Sequence, residues 1–387
     1  MKLAVAMSGG VDSSVVAKIL KDQGHDLVGL FLKMWSDPTC SAKKENRCCD
    51  YEALEDARVV AKSLNIPFYV INAEKEFKKM VVDYFLDEYK NLRTPNPCVV
   101  CNKKIKFDLL LRKALEIDCD KLATGHYARV ASENPKFLPR RQAGEIRSTK
   151  QKKSNFKLLK GIDETKDQSY MLYSLSQDQL GKIIFPIGGM RKKDVRDLAI
   201  KWNLPVKEKP ESQEICFFAD RDYRLFLKRY LPKKYFRAGD IVDKAGKKLG
   251  THEGLINYTI GQRKGIDQLV AISCQLSGKD KKPLYVIEFD QSRNHLVVGE
   301  DKNVYKNEMI VGDLHWIIPQ SKSYQLPADS LSAKIRYQHP AVECQIENIS
   351  NKELKVKFKK SQRAITPGQS AVFYLGDEVI GGGVIES

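Results

Sequence analysis

Two kinds of residue in this sequence could do chemistry: a glycine–serine loop near the start, and cysteines in two separate motifs. Ser8-Gly9-Gly10-Val11-Asp12-Ser13-Ser14 follows a short apolar run, Leu3–Met7, and precedes helical spacing over Ser14–Asp22. Glycines let backbone N–H groups approach phosphates closely, and a helix N-terminus favours negative charge. The hydroxyls of Ser8, Ser13 and Ser14 add donors, and Asp12 can help hold Mg²⁺ or orient the loop. The loop has neither the Gly-Lys-Ser/Thr of a Walker A site nor the GxGxxG of a dinucleotide fold. Cys98-Val99-Val100-Cys101 lies within Thr94–Phe107. This spacing suits redox exchange, metal or cluster ligation, or a nucleophile with a neighbour. Lys103, Lys104 and Lys106 should lower the pKa of a nearby thiol and attract a phosphate backbone. Cys216, in Lys209–Phe218, reads by itself as a small buried core residue. Cys40, Cys48 and Cys49 lie in a polar loop where His25 or Asp50 could complete a zinc site, although the spacing fits no standard finger. Cys119, Cys274 and Cys344 have strand-like or core-like surroundings and read as structural.

These residues must be carried by elements that the sequence also suggests. The first 130 residues or so alternate apolar runs, at Leu3–Met7, Asp26–Leu32 and Phe68–Ile71, with helical periodicities at Ser14–Asp22, Tyr51–Leu64 and Lys106–Glu116. Such alternation predicts a parallel sheet covered by helices, with ligands bound beyond the carboxyl ends of its strands. Residues 131–160 interrupt the pattern with nine Lys/Arg against two Glu and read as a solvated basic loop. Helical character returns over Ser176–Asn203. After about residue 237, strand alternation with Gly and Pro turns dominates, as where Leu354, Val356 and Phe358 alternate with Lys355, Lys357 and Lys359.

Composition bounds the function. The 387 residues suffice for two or three domains, and 66 Lys/Arg against 49 Asp/Glu give a net charge of +17. That excess favours a polyanionic partner, nucleic acid above all. Part of it lies in Arg221–Gly250, where ten Lys/Arg interleave with Tyr223, Phe226, Tyr230, Tyr235 and Phe236. The stretch reads as a phosphate-tracking surface and, over Tyr223–Leu231, as an amphipathic helix with core aromatics and solvated lysines, and both can hold at once. Mean hydropathy is −0.42 and no long apolar run suggests a membrane span. Met1–Gly10 reads as a strand and not as a signal peptide, which places the nine cysteines in a reducing cytoplasm.

The loop resembles the pyrophosphate loop of the PP-loop ATP pyrophosphatase superfamily. Six motifs in order (SGGVDSS, TPNPCVVCNKKIKF, GHYAR, KDQSY, KPESQEICF and YTIGQRKGI) make the whole chain similar to the tRNA-specific 2-thiouridylase family. The resemblance implies an α/β fold: a Rossmann-like PP-loop parallel-sheet domain (1–209), a small β-rich central domain (210–285) and a C-terminal β-barrel contacting tRNA (286–387). It implies that ATP, with Mg²⁺, adenylates C2–O of the wobble uridine and that a cysteine persulfide then delivers sulfur. Cys216 would carry the persulfide; Cys101 would attack it or resolve it as a Cys101–Cys216 disulfide. Ala6, Met7, Ser8, Gly9, Gly10, Val11, Asp12, Ser13, Leu32 and Gly125 would line the ATP pocket. Asn96, Pro97 and Cys98 would meet the flipped base, and His126, Lys166, Asp167, Gln168, Arg336, Tyr337 and Gln369 would contact tRNA. Implied partners are tRNAs for Lys, Glu and Gln and an upstream persulfide sulfur carrier, with the enzyme a cytoplasmic monomer. Many members carry Asp where this chain has Cys98. Cys98 then reads first as pocket wall, and second as one of three cysteines, with Cys101 and Cys216, holding an iron–sulfur cluster.

Overall fold

The computed structural model describes residues 1–35, 37, 51–133, 155–211, 215–217, 222–266, 269–270, 283–318, 330–350 and 352–387. Cys40, Cys48, Cys49 and Cys274, with the centre of the basic 131–160 stretch, lie outside them.

In chain order the first strands are β1 (Lys2–Ala6), β2 (Asp26–Lys33), β3 (Phe68–Asn72), β4 (Lys121–Ala123), β5 (Ala128–Ser132), β6 (Phe156–Lys160) and β7 (Ile183–Ile184). Five of them form one sheet in the order β3-β2-β1-β4-β7, every pair parallel. β1 is buried through Leu3, Ala4 and Val5 because helices cover both faces, so it reads as a continuous apolar run. The chain leaves β1 toward β2 on one side and reaches β4 on the other. The crevice beyond their carboxyl ends is therefore the switch point where such sheets bind ligands. The Gly-Ser loop follows β1, and Gly125-His126 follows β4.

The expected solvated loop at 131–160 is corrected at both ends. β5 and β6 pair antiparallel from Ala128↔Lys160 to Ser132↔Phe156. Apolar Leu158, fully buried, gives the hairpin a reason to fold that the surrounding lysines obscure.

Further strands are β8 (Gly239–Val242), β9 (Lys248–His252), β10 (Tyr285–Asp290), β11 (His295–Gly299), β12 (Tyr305–Trp316), β13 (Leu331–Lys334), β14 (Val342–Asn348), β15 (Leu354–Arg363), β16 (Ser370–Leu375) and β17 (Glu378–Ile385). β10-β11-β8-β9 form the second sheet, so residues 286–299 hydrogen-bond with the central unit and the barrel's own strands start at Tyr305. β12-β15-β14-β13-β16-β17 form an antiparallel sheet that closes through β12–β17 into a six-stranded barrel. Gly381, Gly382 and Gly383 permit this closure: a Cβ at each would lie within 2.5 Å of a backbone carbonyl oxygen. β17 also pairs with β6 at Glu378↔Leu159 and Val379↔Leu158, so the first unit adds its hairpin to the barrel sheet.

The basic aromatic stretch has the core aromatics of the amphipathic-helix reading. In the Tyr223–Tyr230 helix, Phe226 is fully buried, and its ring lies 6.0 Å from Phe85 and 5.6 Å from Phe217. Tyr223 stacks on Tyr89 at 5.0 Å. Among the basic residues, Arg224, Lys228 and Arg229 pair with Asp222, Glu253 and Asp37.

Candidate active site

The anion-binding half is built almost entirely from one short segment. Gly10 caps the Val11–Asp22 helix without a side-chain hydrogen bond, leaving the first-turn N–H groups directed into the crevice. Gly9 has φ +70°, and a Cβ there would come 2.1 Å from the carbonyl oxygen of Ala53, so only glycine fits. Ser13 Oγ donates to the Gly10 carbonyl at 3.1 Å and accepts from the Ser8 amide at 3.2 Å, which folds the loop back on itself. Met7 and Val11 are buried in one core and Leu32 in another, Ser8 is exposed, and Ala6 is half-buried. Gly125 abuts the loop; its Cβ would meet Ser13 N at 3.1 Å. The Gly9–Ser13 segment and Gly125 therefore gather around one helix N-terminus. The arrangement fits a polyphosphate whose Mg²⁺ is held mainly by phosphate oxygens, with Asp12 offering a carboxylate.

Sequence reasoning missed the charges around this loop. Lys192 Nζ lies 2.7 Å from Asp12 Oδ1 and 3.4 Å from Glu211 Oε1. Tyr127 donates its hydroxyl to Asp12 Oδ1 at 2.9 Å, and Lys166 Nζ pairs with Glu211 Oε2 at 2.7 Å. Lys192 is the first residue of the Lys192–Lys201 helix, and the fold turns it toward a loop 180 residues away.

The sulfur half is drawn from distant segments. Asn96 precedes a continuous helix made of Pro97–Cys101, a π-helical Asn102–Leu110 and Leu111–Glu116. Pro97 at its first position needs no N–H partner. Cys101 packs into the main core, which Ile215 and half-buried Cys216 also touch. Phe217 anchors Cys216: fully buried, it meets Phe77 at 5.9 Å and Phe85 at 5.4 Å, edge to face. Cys98, Cys101 and Cys216 interact electrostatically, and Lys106 acts on the first two. Cys98 and Cys101 are free cysteines here.

The expected low thiol pKa is corrected. Burial pushes Cys98 up to about 11 and Cys101 up to about 12, outweighing the opposing pull of Lys106. A desolvated thiolate costs more than one lysine returns, so both rest as neutral thiols. The iron–sulfur reading gains no support: among the described residues, no group of three or more His, Cys, Asp or Glu is arranged to hold a metal ion.

The predicted tRNA-contacting residues separate into different surroundings. His126 is buried between Phe107 and Phe185, at 5.4 and 5.7 Å, with Nδ1 2.7 Å from Thr124 Oγ1. Burial, then Lys106, hold it well below the ordinary histidine range, so it is a neutral imidazole. Asp167 is buried and accepts from the amides of Gly161 and Ser169 and from Ser169 Oγ, each at 3.0 Å. Gln168 brackets the Tyr127 backbone, accepting from its N–H at 3.0 Å and donating to its carbonyl at 2.9 Å. Tyr337 reaches from the barrel to within 6.3 Å of the Tyr170 ring, where Asp167 and Cys98 act on it. Arg336 donates to Ala364 O at 2.6 Å and Thr366 Oγ1 at 2.8 Å. Gln369 Nε2 donates to the carbonyls of Thr94 at 3.0 Å and Pro95 at 3.1 Å. Cys119 and Cys344 are buried structural residues.

Comparison with known proteins gives three matching family models in succession: a tRNA methyl transferase HUP domain over residues 1–220, a tRNA methyl transferase PRC-barrel domain over 224–300 and an aminomethyltransferase beta-barrel domain over 306–385. The chain is 43% identical over its whole length to a tRNA-specific 2-thiouridylase MnmA of Geobacter metallireducens, covering 97% of that protein. It is 42% identical over its whole length to the MnmA of Clostridium acetobutylicum, covering 99% of it.

Proposed function

The chain belongs to the tRNA-specific 2-thiouridylase family, and from that premise we propose that it is an ATP-dependent tRNA sulfurtransferase acting on C2 of the wobble uridine. The observation that carries the reading is that Cys101 and Cys216, far apart in sequence, pack against the same core and act electrostatically on one another, with Cys98 beside them. A ligase without sulfur chemistry would need no such convergence.

The Gly9–Ser13 segment binds the nucleotide phosphates through backbone N–H groups, and Lys192 exchanges the Asp12 carboxylate for a phosphate oxygen. The uridine leaves the anticodon stack and enters beside Asn96-Pro97-Cys98. Its C2 oxygen attacks the α-phosphorus, pyrophosphate departs, and a poor leaving group has become AMP. Cys216 carries a persulfide received from an upstream sulfur carrier. The Cys101 thiolate, formed when its proton is lost, attacks the Cys216 sulfur. The Sγ–Sγ bond forms, the S–S bond of the persulfide breaks, and hydrosulfide leaves with the electron pair. Hydrosulfide adds to C2 and AMP is expelled, giving 2-thiouridine and a Cys101–Cys216 disulfide for external reduction. The dry pocket keeps water from intercepting the adenylate. Cys98, a neutral thiol where a carboxylate would titrate, serves as pocket wall. The tRNAs for Lys, Glu and Gln are the proposed substrates. Among the described residues no helix is long and apolar enough to cross a membrane.

The test is nucleoside mass spectrometry of unmodified tRNA incubated with protein, ATP, Mg²⁺ and a persulfide donor. A 2-thiouridine product that requires ATP, and is lost in Cys101→Ser and Cys216→Ser, supports the reading. Full product formation by both variants would overturn it.

A further inference from the structure

The helix that carries Cys98 and Cys101 also carries a cation, Lys106. It is half-buried, and its neighbours Ile105 and Phe107 are fully buried, so its backbone is fixed. Gln179 Nε2 donates to the Phe107 carbonyl at 2.7 Å, and the Phe107 ring lies 5.4 Å from His126. In an α-helix, residues five apart lie about 140° from one another around the axis. The i→i+5 bonding of Asn102–Leu110 widens the turn and brings Lys106 back toward the face of Cys101. Its charge acts on Cys98, Cys101 and His126, all of which rest neutral. Among the described residues, its ammonium group has no ion-pair or hydrogen-bond partner.

A second unmet group stands four residues earlier on the same helix. Asn102 is only 4% exposed, and its Nδ2 donates to Met171 O at 3.1 Å. That bond fixes the amide, and Asn102 Oδ1 is left buried with no partner among the described residues. A buried acceptor without a donor is costly, and such an atom asks for a ligand. The two groups want different things: Lys106 an anion, Asn102 Oδ1 a hydrogen-bond donor. A backbone phosphate offers charge and no donor. The N3–H of a uridine offers a donor and no charge. Hydrosulfide carries one negative charge and one S–H, and so answers both.

We propose that Lys106 and Asn102 hold the hydrosulfide released during sulfur transfer, Lys106 as a catalytic residue that carries its charge and Asn102 as the acceptor of its S–H. The proposal rests on the sulfurtransferase reading. The Cys101 thiolate attacks the Cys216 sulfur, the Sγ–Sγ bond forms, and the persulfide S–S bond breaks with its electron pair on the outer sulfur. The single negative charge thus passes from Cys101 to hydrosulfide beside the same ammonium group, which keeps its proton throughout. Hydrosulfide then adds to C2 of the adenylated uridine, AMP leaves with its electron pair, and the S–H proton passes to N3 as C2=S forms. Holding the anion between release and attack keeps it from escaping to solvent.

The test follows the sulfur. Cys216 is charged with radiolabelled persulfide sulfur, excess donor is removed, and one turnover is run with saturating ATP, Mg²⁺ and tRNA. Label is then divided between 2-thiouridine and free sulfide trapped with monobromobimane. Wild type should deliver most of the label to tRNA. Lys106→Met should slow thiolation by about a hundredfold, as loss of one preorganised charge-stabilising group does, and should shift the label to free sulfide. Lys106→Arg should retain most of the wild-type partition. Asn102→Asp, which sets a carboxylate one helical turn from Lys106 and satisfies it without hydrosulfide, should leak like Lys106→Met. An unchanged partition in Lys106→Met would overturn the proposal. So would a loss of tRNA affinity, by filter binding, that accounts for the whole loss of rate, because it would make Lys106 a phosphate contact. The independent arm is alkylation of Cys101 by iodoacetamide at fixed pH, without nucleotide or tRNA, located by peptide mass spectrometry. Lys106→Met should label several-fold more slowly than wild type and Lys106→Arg, and unchanged labelling would count against the site. If the wild-type protein thiolates no tRNA, the sulfurtransferase reading fails, and this labelling still decides whether Lys106 supports negative charge on sulfur.

Discussion

The two halves of the site are built by opposite means. The anion-binding loop is local: seven consecutive residues, one helix N-terminus and two glycines create it, and it faces solvent through Ser8. The sulfur half is assembled from remote pieces: the helix beginning at Pro97, the Ile215–Phe217 segment and Tyr337 from the barrel. The chemistry explains the contrast. Phosphate is bound by rows of backbone donors, which a single turn supplies. A base and a reactive sulfur need a dry wall on every side, and one segment cannot enclose a volume.

If the halves are separable, substitutions should damage one and spare the other. The largest effect is expected from Cys216→Ser, which should lower thiolation at least about a thousandfold, or ~4 kcal/mol of transition-state stabilisation. Its melting temperature should still rise with ATP as in wild type; loss of that response would join the halves. Phe217→Ala removes the ring that sits among Phe77, Phe85 and Phe226. It should destabilise the fold by about 3–5 kcal/mol in urea titrations. Lys192→Ala should reduce kcat/KM for ATP by roughly a hundredfold, or ~2.7 kcal/mol, while leaving the alkylation rates of Cys98 and Cys101 unchanged. A changed alkylation rate would mean that the Lys192–Glu211 contact helps shape the sulfur pocket.

The smallest effect is that of pH on stability. His126 is held below its ordinary range, so below about pH 6.5 the unfolded chain takes up protons that the folded chain refuses, and stability falls. His252, His315 and His339 act in the same direction. Cys98 and Cys101 are pushed upward, so above about pH 8.5 the unfolded chain loses protons that the folded chain keeps, and stability falls again. Urea midpoints should be flattest between those values. A midpoint still rising above pH 9 would contradict the burial of the two thiols.

Much of this was legible in the sequence wherever the determinant is local. The loop at Ser8–Ser14 announces itself because tight turns and helix starts need particular residues at consecutive positions. The parallel sheet follows from apolar runs alternating with helical periods, and the barrel from period-two strands such as Leu354–Phe358. The β5–β6 hairpin was hidden because its lysines resemble solvent-exposed charge, whereas partners on β17 make it part of a sheet. Lysines near the cysteines suggested lowered thiol pKa values, because sequence records charge and not desolvation. That Gln369 also reaches the carbonyls of Thr94 and Pro95 was not legible, because nothing in Pro367-Gly368-Gln369 names those distant partners.

The sequence by itself determined the nucleotide loop, the order of α/β and β-rich units and the cysteines available for sulfur. Each of these depends on residue types at short spacing. Only the tertiary structure decided which cysteines act on one another, that burial outweighs Lys106 at Cys98 and Cys101, that Lys192 faces Asp12, and that three units converge on Thr94. Burial and long-range contact are properties of the closed surface around a residue, and that surface exists only after distant segments have packed together.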